Sequence, residues 1–247
     1  NLWAQAEDLG AFGFSRPEDV ATNPANGRQA VMASTGVDDY LIDPETGNGV
    51  DTFGTVYIID TRLPSKRTKL TILYDGDADP TRALRSPDNL DWADDGFIYV
   101  QEDEAEEDTA SGDEVLFGED AANPDEAGIV RLHPRNGAVT KIAEIDRDVV
   151  LDASPLLSSP EDAIDRDADP DGFPNGEWES SGILDVATLF GEEPGTLFLF
   201  DVQAHGIEDQ TTCEDDEGDP QPCNEGSRIE DGDLVEGGQL LFLSKDD

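Results

Sequence analysis

Basic residues are scarce in this chain of 247: fifteen Lys and Arg stand against 59 Asp and Glu, a formal charge of −44. That balance excludes nucleic acid and anionic membrane surfaces as partners, since both require a basic footprint. Long apolar runs are missing too, and none approaches the roughly 20 residues of a membrane-spanning helix. Histidine is limited to His133 and His205, which makes a zinc site improbable. A Ser-His-Asp hydrolase is disfavoured as well: no G-x-S-x-G occurs, and His133 opens the turn-like string His-Pro-Arg-Asn-Gly. The two cysteines, Cys213 and Cys223, have nine residues between them, all polar, Gly or Pro, with no histidine close by. This spacing suits a local disulfide better than a metal site, and so points to an extracellular or periplasmic setting. No secretion signal is recognisable, and the chain opens on Asn1 rather than Met, as a trimmed or mature product does.

What is present argues for a folded protein. Hydrophobic residues make up 36% of the chain, with three Trp and ten Phe, which excludes plain disorder. The acids are spread along the whole length, and Arg outnumbers Lys eleven to four. This pattern fits a solvated acidic surface adapted to high salt, where screening removes the self-repulsion. A polyanionic, cation-buffering surface is the alternative.

Strand signals dominate. Residues 29–34 read as a strand after the Asn26-Gly27 turn, 54–60 and 69–74 alternate apolar and polar positions, and the segment 86–103 reads as a hairpin turning at Gly96. Residues 128–133 and 138–145 form another hairpin around Asn136-Gly137, and 196–202 and 238–244 are further strands. Segments 104–125 and 146–178 read as acidic insertions, and 207–236 as a cysteine-containing loop. Three times a polar opening leads into a weak strand, a turn and a strong apolar strand: at Arg16-Pro17-Glu18-Asp19, at Ser86-Pro87-Asp88-Asn89 and at Glu179-Ser180-Ser181-Gly182. Repetition of short strands in this way is the mark of propeller blades. The expected fold is therefore all-β and propeller-like over 1–247, with about three blades in this chain. Since a ring needs roughly four to eight blades, further N-terminal blades or another chain would complete it. A β-sandwich with long loops is the fallback.

The segment 86–103 places Asp88, Asn89, Glu102 and Asp103 at the two ends of an apolar strand pair. Oxygen ligands held at strand ends are what a hard cation requires. Asp167-Ala168-Asp169-Pro170-Asp171-Gly172 matches the first half of a D-x-D-x-D-G calcium loop, without the helix and final Glu of an EF-hand. The aromatic residues Trp92, Phe97, Tyr99, Phe198 and Phe200 fall at strand spacing and are expected in the core.

Taken in order, Phe14-Ser15-Arg16-Pro17-Glu18-Asp19, residues 54–60 and 70–74, Ser86-Pro87-Asp88-Asn89-Leu90 with Gln101-Glu102-Asp103, and Glu179 to Gly182 followed by 197–203 resemble the PhoX-type alkaline phosphatases. These are secreted, calcium- and iron-dependent phosphohydrolases. The resemblance implies a ring of about six blades, of which this chain is the later half. It also implies a metal cluster near the central axis and a small phosphate monoester as substrate. Carried over, it makes Glu18, Glu102 and Glu179 metal ligands, beside Asp88 and Asp103 from the hairpin ends and Asp167, Asp169 and Asp171 from the calcium-loop motif as further candidates. Arg16 becomes a phosphate contact, and Asn89 and Gln203 become substrate contacts. His205, just past the strand 196–202, is a candidate proton donor or ligand beside a structural role. Calcium is the expected cofactor and iron the second candidate. A non-enzymatic, calcium-stabilised secreted propeller serving as a binding or matrix module is the alternative function.

Overall fold

The structure, a computed structural model, describes residues 5, 9–36, 51–62, 67–103, 117, 122–145, 178–208, 212–214, 220–222 and 234–245. Of these, 178, 204–208, 212–214, 220–222 and 234–238 are described by their backbone alone.

Alternating sequence becomes antiparallel sheet throughout. Sheet 1 is a meander of β1 (Pro17–Thr22), β2 (Gln29–Ser34), β3 (Thr55–Arg62) and β4 (Arg67–Asp75). Sheet 2 repeats the plan with β5 (Pro87–Trp92), β6 (Ile98–Glu102), β7 (Gly128–Leu132) and β8 (Val139–Glu144). Sheet 3 pairs β9 (Trp178–Asp185) with β10 (Leu197–Glu208), and β10 with β13 (Leu234–Ser244). A single-turn helix, α1 (Ala187–Phe190), joins β9 to β10. Within the cysteine-containing loop, β11 (Thr212–Glu214) and β12 (Pro220–Pro222) form a two-stranded ribbon. Backbone register sets Cys213 opposite Gln221 there; the cysteine side chains lie outside the described residues, so no disulfide is described.

The sheets stack through their first strands: β1 packs on β5, and β5 on β9. Sheet 2 is covered on both sides. One face carries Leu90, Trp92, Ile98, Val100, Val130 and Leu132 against Val31, Ala33, Val56 and Tyr74 of sheet 1. Its other face sets Tyr99 and Ile129 against Ile183 and Phe198 of sheet 3, with the Tyr99 and Phe198 rings 4.2 Å apart. Trp92, Tyr99 and Phe198 are buried and Phe97 and Phe200 partly buried in these clusters, as their spacing predicts. Polar ties run across the same seams. Asp19 accepts the Leu90 amide, Asp91 accepts the Asp185 amide, and Gln101 brackets the β9 bulge through Ser181 O and Ile183 N.

Sheets 1 and 2 are close structural repeats. Pro17 pairs with Ser34 and Pro87 with Glu102, and in each sheet a bulge follows before Val20 or Leu90 resumes the ladder. The residue before each proline is left-handed, Arg16 at φ 49 and Ser86 at φ 41. Its carbonyl accepts the amide just past the second strand, Thr35 or Asp103. Between the two repeats, Thr35 Oγ1 donates to Pro87 O at 3.2 Å. Gly54, at φ 79, makes that approach possible, because a Cβ there would lie 2.4 Å from Thr35 O and 2.5 Å from Pro87 Cδ.

The protein is thus all-β, as the sequence implies, with three sheets where three blades were expected. No closed barrel or propeller ring is formed among the described residues. The span 104–125 is described only at Phe117 and 122–125, and 146–177 lies outside the described residues.

Candidate metal and phosphate site

The stacked openings of β1 and β5, the end of β6 and the start of β9 bring five of the expected residues to one end of the sheets. Arg16 Nη2 donates to Asp103 Oδ2 at 3.0 Å, and its Nε lies 3.9 Å from Glu18 Oε1. Asp88 is flanked by Glu179 and Glu18, with Arg16 as the opposing cation, and accepts from Asn89 Nδ2. Asp103 shares a hydrogen bond with Glu179. The left-handed backbone at Arg16 belongs to the turn that presents this guanidinium among carboxylates contributed by all three sheets.

Electrostatics sets this cluster apart from the rest of an acidic chain. Burial, then Glu179 and Glu18, push the Asp88 carboxyl up to about 6. Burial, then its hydrogen bond and charge repulsion with Glu179, push Asp103 up to about 8, against the opposing pull of Arg16. Asp88 and Asp103 are thus both held toward their protonated forms by burial and by the neighbouring acids, with Arg16 as the opposing cation. A further cation there would favour the ionised forms of both carboxyls. The donors are all oxygen, the set that fits calcium. Among the described residues, however, no three acidic, imidazole or thiolate side chains already stand at metal-binding spacing. Arg16, reaching Asp103 and Glu18, is the positive charge that the cluster itself provides.

Glu102 is elsewhere. Sequence grouped it with the ligands, but β6 turns it to the opposite side from Asp103, and it is fully buried. Its Oε1 accepts the Arg85 amide at 2.9 Å and lies 3.6 Å from Arg85 Nε, and its Oε2 accepts from Lys141 Nζ at 3.1 Å. Arg85 also donates to Asn123 O and Asp125 O and lies over the Phe117 ring at 4.2 Å. This is an internal ion-pair anchor that fastens the end of segment 104–125 to sheet 2. With both oxygens engaged by cations, Glu102 is not one of the clustered carboxylates.

The remaining expected residues divide by position. Gln203 stands opposite Glu179 in the β9–β10 ladder, which puts it beside the cluster in register. His205 lies two residues further along β10, with its side chain outside the described residues. Asp167, Asp169 and Asp171 fall within 146–177 and are likewise outside them. The third sheet also departs from the simple repeat. Its bulge sets Ser181, not Glu179, in the position of Pro17 and Pro87, so Glu179 reaches the cluster from two residues earlier. Sequence reading missed Arg85, whose place before Ser86-Pro87 matches that of Ser15 before Arg16-Pro17. It also missed Asp19, Asp91 and Gln101, which lock the sheets whose ends form the site.

No curated protein and no solved structure matches the chain. The family model described as alkaline phosphatase PhoX matches residues 1–148. That span holds all of sheets 1 and 2, with Arg16, Glu18, Asp88, Asn89, Glu102 and Asp103, and leaves Glu179, Gln203 and His205 beyond it. With more than half its length matched, including the segments that build most of the cluster, the chain belongs to the alkaline phosphatase PhoX family.

Proposed function

We propose that this chain carries the phosphate-ester site of a calcium-dependent phosphatase, with Glu18, Asp88, Asp103 and Glu179 as the cation's oxygen donors. The observation that supports this reading most is the meeting of these four carboxylates with Arg16, drawn from three sheets in a PhoX-family chain. A bound hard cation supplies charge neutralisation and Lewis acidity toward a phosphoryl group. The chain's own residues do the rest. Arg16, released from Asp103, offers a planar fork of donors to two phosphoryl oxygens. Asn89 donates an amide hydrogen bond beside Asp88, and Gln203 supplies another polar group from the β10 ladder. In this reading His205, two residues beyond Gln203 in the β10 sequence, is the candidate to hold or pass a proton. Iron, the second candidate metal, would draw on that imidazole, since the described donors are otherwise all oxygen.

The charge balance supports an extracellular or periplasmic, salt-rich setting, in which Cys213 and Cys223 would be joined. Open faces on sheets 1 and 3 support completion of a propeller ring by further blades or another chain. The test is hydrolysis of a chromogenic phosphate monoester: turnover with calcium, abolished by chelation and cut on the order of a hundredfold by Asp103→Asn, is the expected result. Undiminished turnover in chelated Asp103→Asn protein overturns the proposal.

The second reading, a calcium-stabilised binding or matrix module, is favoured by those same apolar faces. On sheet 3 Leu184, Leu240 and Phe242 are exposed, with Phe190 against Phe242 at 5.7 Å, and on sheet 1 Val20 and Ile72 are exposed. It predicts a calcium-dependent rise in melting temperature with no turnover of any monoester.

A further inference from the structure

At the end of sheet 1 remote from the carboxylates, the charge reverses. Residues 61–74 contain Arg62, Lys66, Arg67 and Lys69 and no acid at all, in a chain where acids outnumber bases 59 to 15. The fold adds Arg28 from the β1–β2 turn: its carbonyl accepts from the Thr61 amide at 2.8 Å and from Thr61 Oγ1 at 3.0 Å. An open cavity of about 430 Å³ lies there, lined by Asn26, Arg28, Asp60, Thr61 and Arg62. Arg28, Arg62, Arg67 and Lys69 are all exposed.

The register makes this costly. Arg62 and Arg67 are direct cross-strand partners in the β3–β4 ladder, and like charges placed opposite each other destabilise a sheet. Asp60, opposite Lys69, offsets part of the charge, with its Oδ1 3.9 Å from Arg62 Nε. Among the described residues at this end of the sheet, Arg28, Arg62, Arg67 and Lys69 outnumber Asp60. Forks of this kind bind tetrahedral oxyanions bidentately, and a local reversal of sign gives an anion a landing point on a surface that otherwise repels it.

We propose that the cavity between the β1–β2 turn and the β3–β4 hairpin is an oxyanion-binding site for phosphate and short polyphosphates, separate from the carboxylate cluster. Arg28 and Arg62 line it, and Arg67 and Lys69 set its field. Because it does not rest on the phosphatase reading, the site is tested with chelator present and in an Asp103→Asn background, where the other end of the sheet holds no cation.

The probes are inorganic phosphate and tripolyphosphate, followed by amide chemical shifts at the lowest salt that keeps unfolding cooperative. Saturable shifts at Arg28, Thr61, Arg62 and Arg67 are expected, stronger for tripolyphosphate. Affinity falls at least tenfold in Arg28→Gln/Arg62→Gln and falls again as salt is raised. A second variant, Arg62→Gln/Arg67→Gln, loses affinity but melts higher than its parent without anion, because the like-charge pair is gone. A purely structural role for these arginines would lower both. Absence of saturation, shifts confined to the Arg16 end, or unchanged affinity in the double variants overturns the proposal.

Discussion

Glu102 and Asp103 are consecutive residues of one strand end, yet they live in opposite electrostatic worlds. Pleating sends Glu102 inward between Arg85 and Lys141 and sends Asp103 outward to Glu179, Asp88 and Arg16. Both carboxyls are pushed upward by burial, but Glu102 has two cations pulling it back, whereas Asp103 has Glu179 pushing it further. A carboxylate surrounded by permanent cations is already satisfied and holds structure together. One surrounded by other carboxylates is left wanting a cation from outside. Adjacent positions thus divide into an anchor and a candidate ligand, and that division can be attacked from either side.

The largest effect is expected on the anchor side. Glu102→Gln takes from Arg85 and Lys141 the buried carboxylate they share, and removing one member of such a buried group costs about 3 kcal/mol or more. Thermal denaturation should show a fall in melting temperature of several degrees, with turnover per folded molecule and the calcium response retained. If Glu102→Gln instead melts normally and loses its calcium response, the anchor and ligand roles are reversed.

Asp103→Asn should do the converse. Metal-free stability stays within about 0.5 kcal/mol, since a repulsive carboxyl is lost while the amide oxygen can still accept from Arg16. Calcium affinity and monoester turnover fall on the order of a hundredfold, the scale of losing a ligand or its close support. Isothermal titration with calcium, beside the denaturation curve, separates the two residues cleanly.

Calcium itself should sharpen the contrast. At a hundredfold excess over its dissociation constant a ligand that binds only the folded chain adds about 2.7 kcal/mol. Wild type and Glu102→Gln should both gain that increment on calcium addition and lose it to chelator, and Asp103→Asn should gain little. Equal gains in all three proteins would mean that the cation binds elsewhere.

How much of this was legible in the sequence follows from what each residue answers to. Strands β3 and β4 were readable from apolar-polar alternation, and β5 to β8 from apolar β-forming runs flanking the turns at Gly96 and Asn136-Gly137, because these are local properties. The nearness of Asp88 and Asp103 was legible from the 86–103 hairpin, but their meeting with Arg16 and Glu18 only through the ordered family resemblance, since one acid among 59 carries no local mark. Glu102 went astray for the same reason. Which side of the sheet a strand-end residue takes depends on the bulge between Pro87 and Leu90 and on Lys141, 39 positions away, which no short-range pattern encodes. The offset of Glu179 hides likewise behind the bulge at Gly182, which adopts φ 61 with Asp201 close against it. The extent of β10 was also underestimated, because its far half passes through a polar, glycine-containing segment and is held by pairing with β13.

The smallest effect falls on the repeat itself. Arg16 and Ser86 hold equivalent left-handed positions before Pro17 and Pro87, a conformation that costs an L-residue about 1–2 kcal/mol. Glycine removes that strain but adds about 0.5–1 kcal/mol of unfolded-state entropy. Ser86 is fully buried and its hydroxyl finds no hydrogen-bond partner, so Ser86→Gly also deletes an unsatisfied polar group. A net gain of about 0.5–1 kcal/mol is expected, with turnover unchanged. Arg16→Gly obtains the same backbone relief, but it strips the cluster of the cation bonded to Asp103, and with it the proposed phosphoryl contact. The two glycines should therefore part company in activity while resembling each other in backbone effect. If both lose turnover alike, the left-handed turn itself is what the site needs, and the guanidinium is incidental.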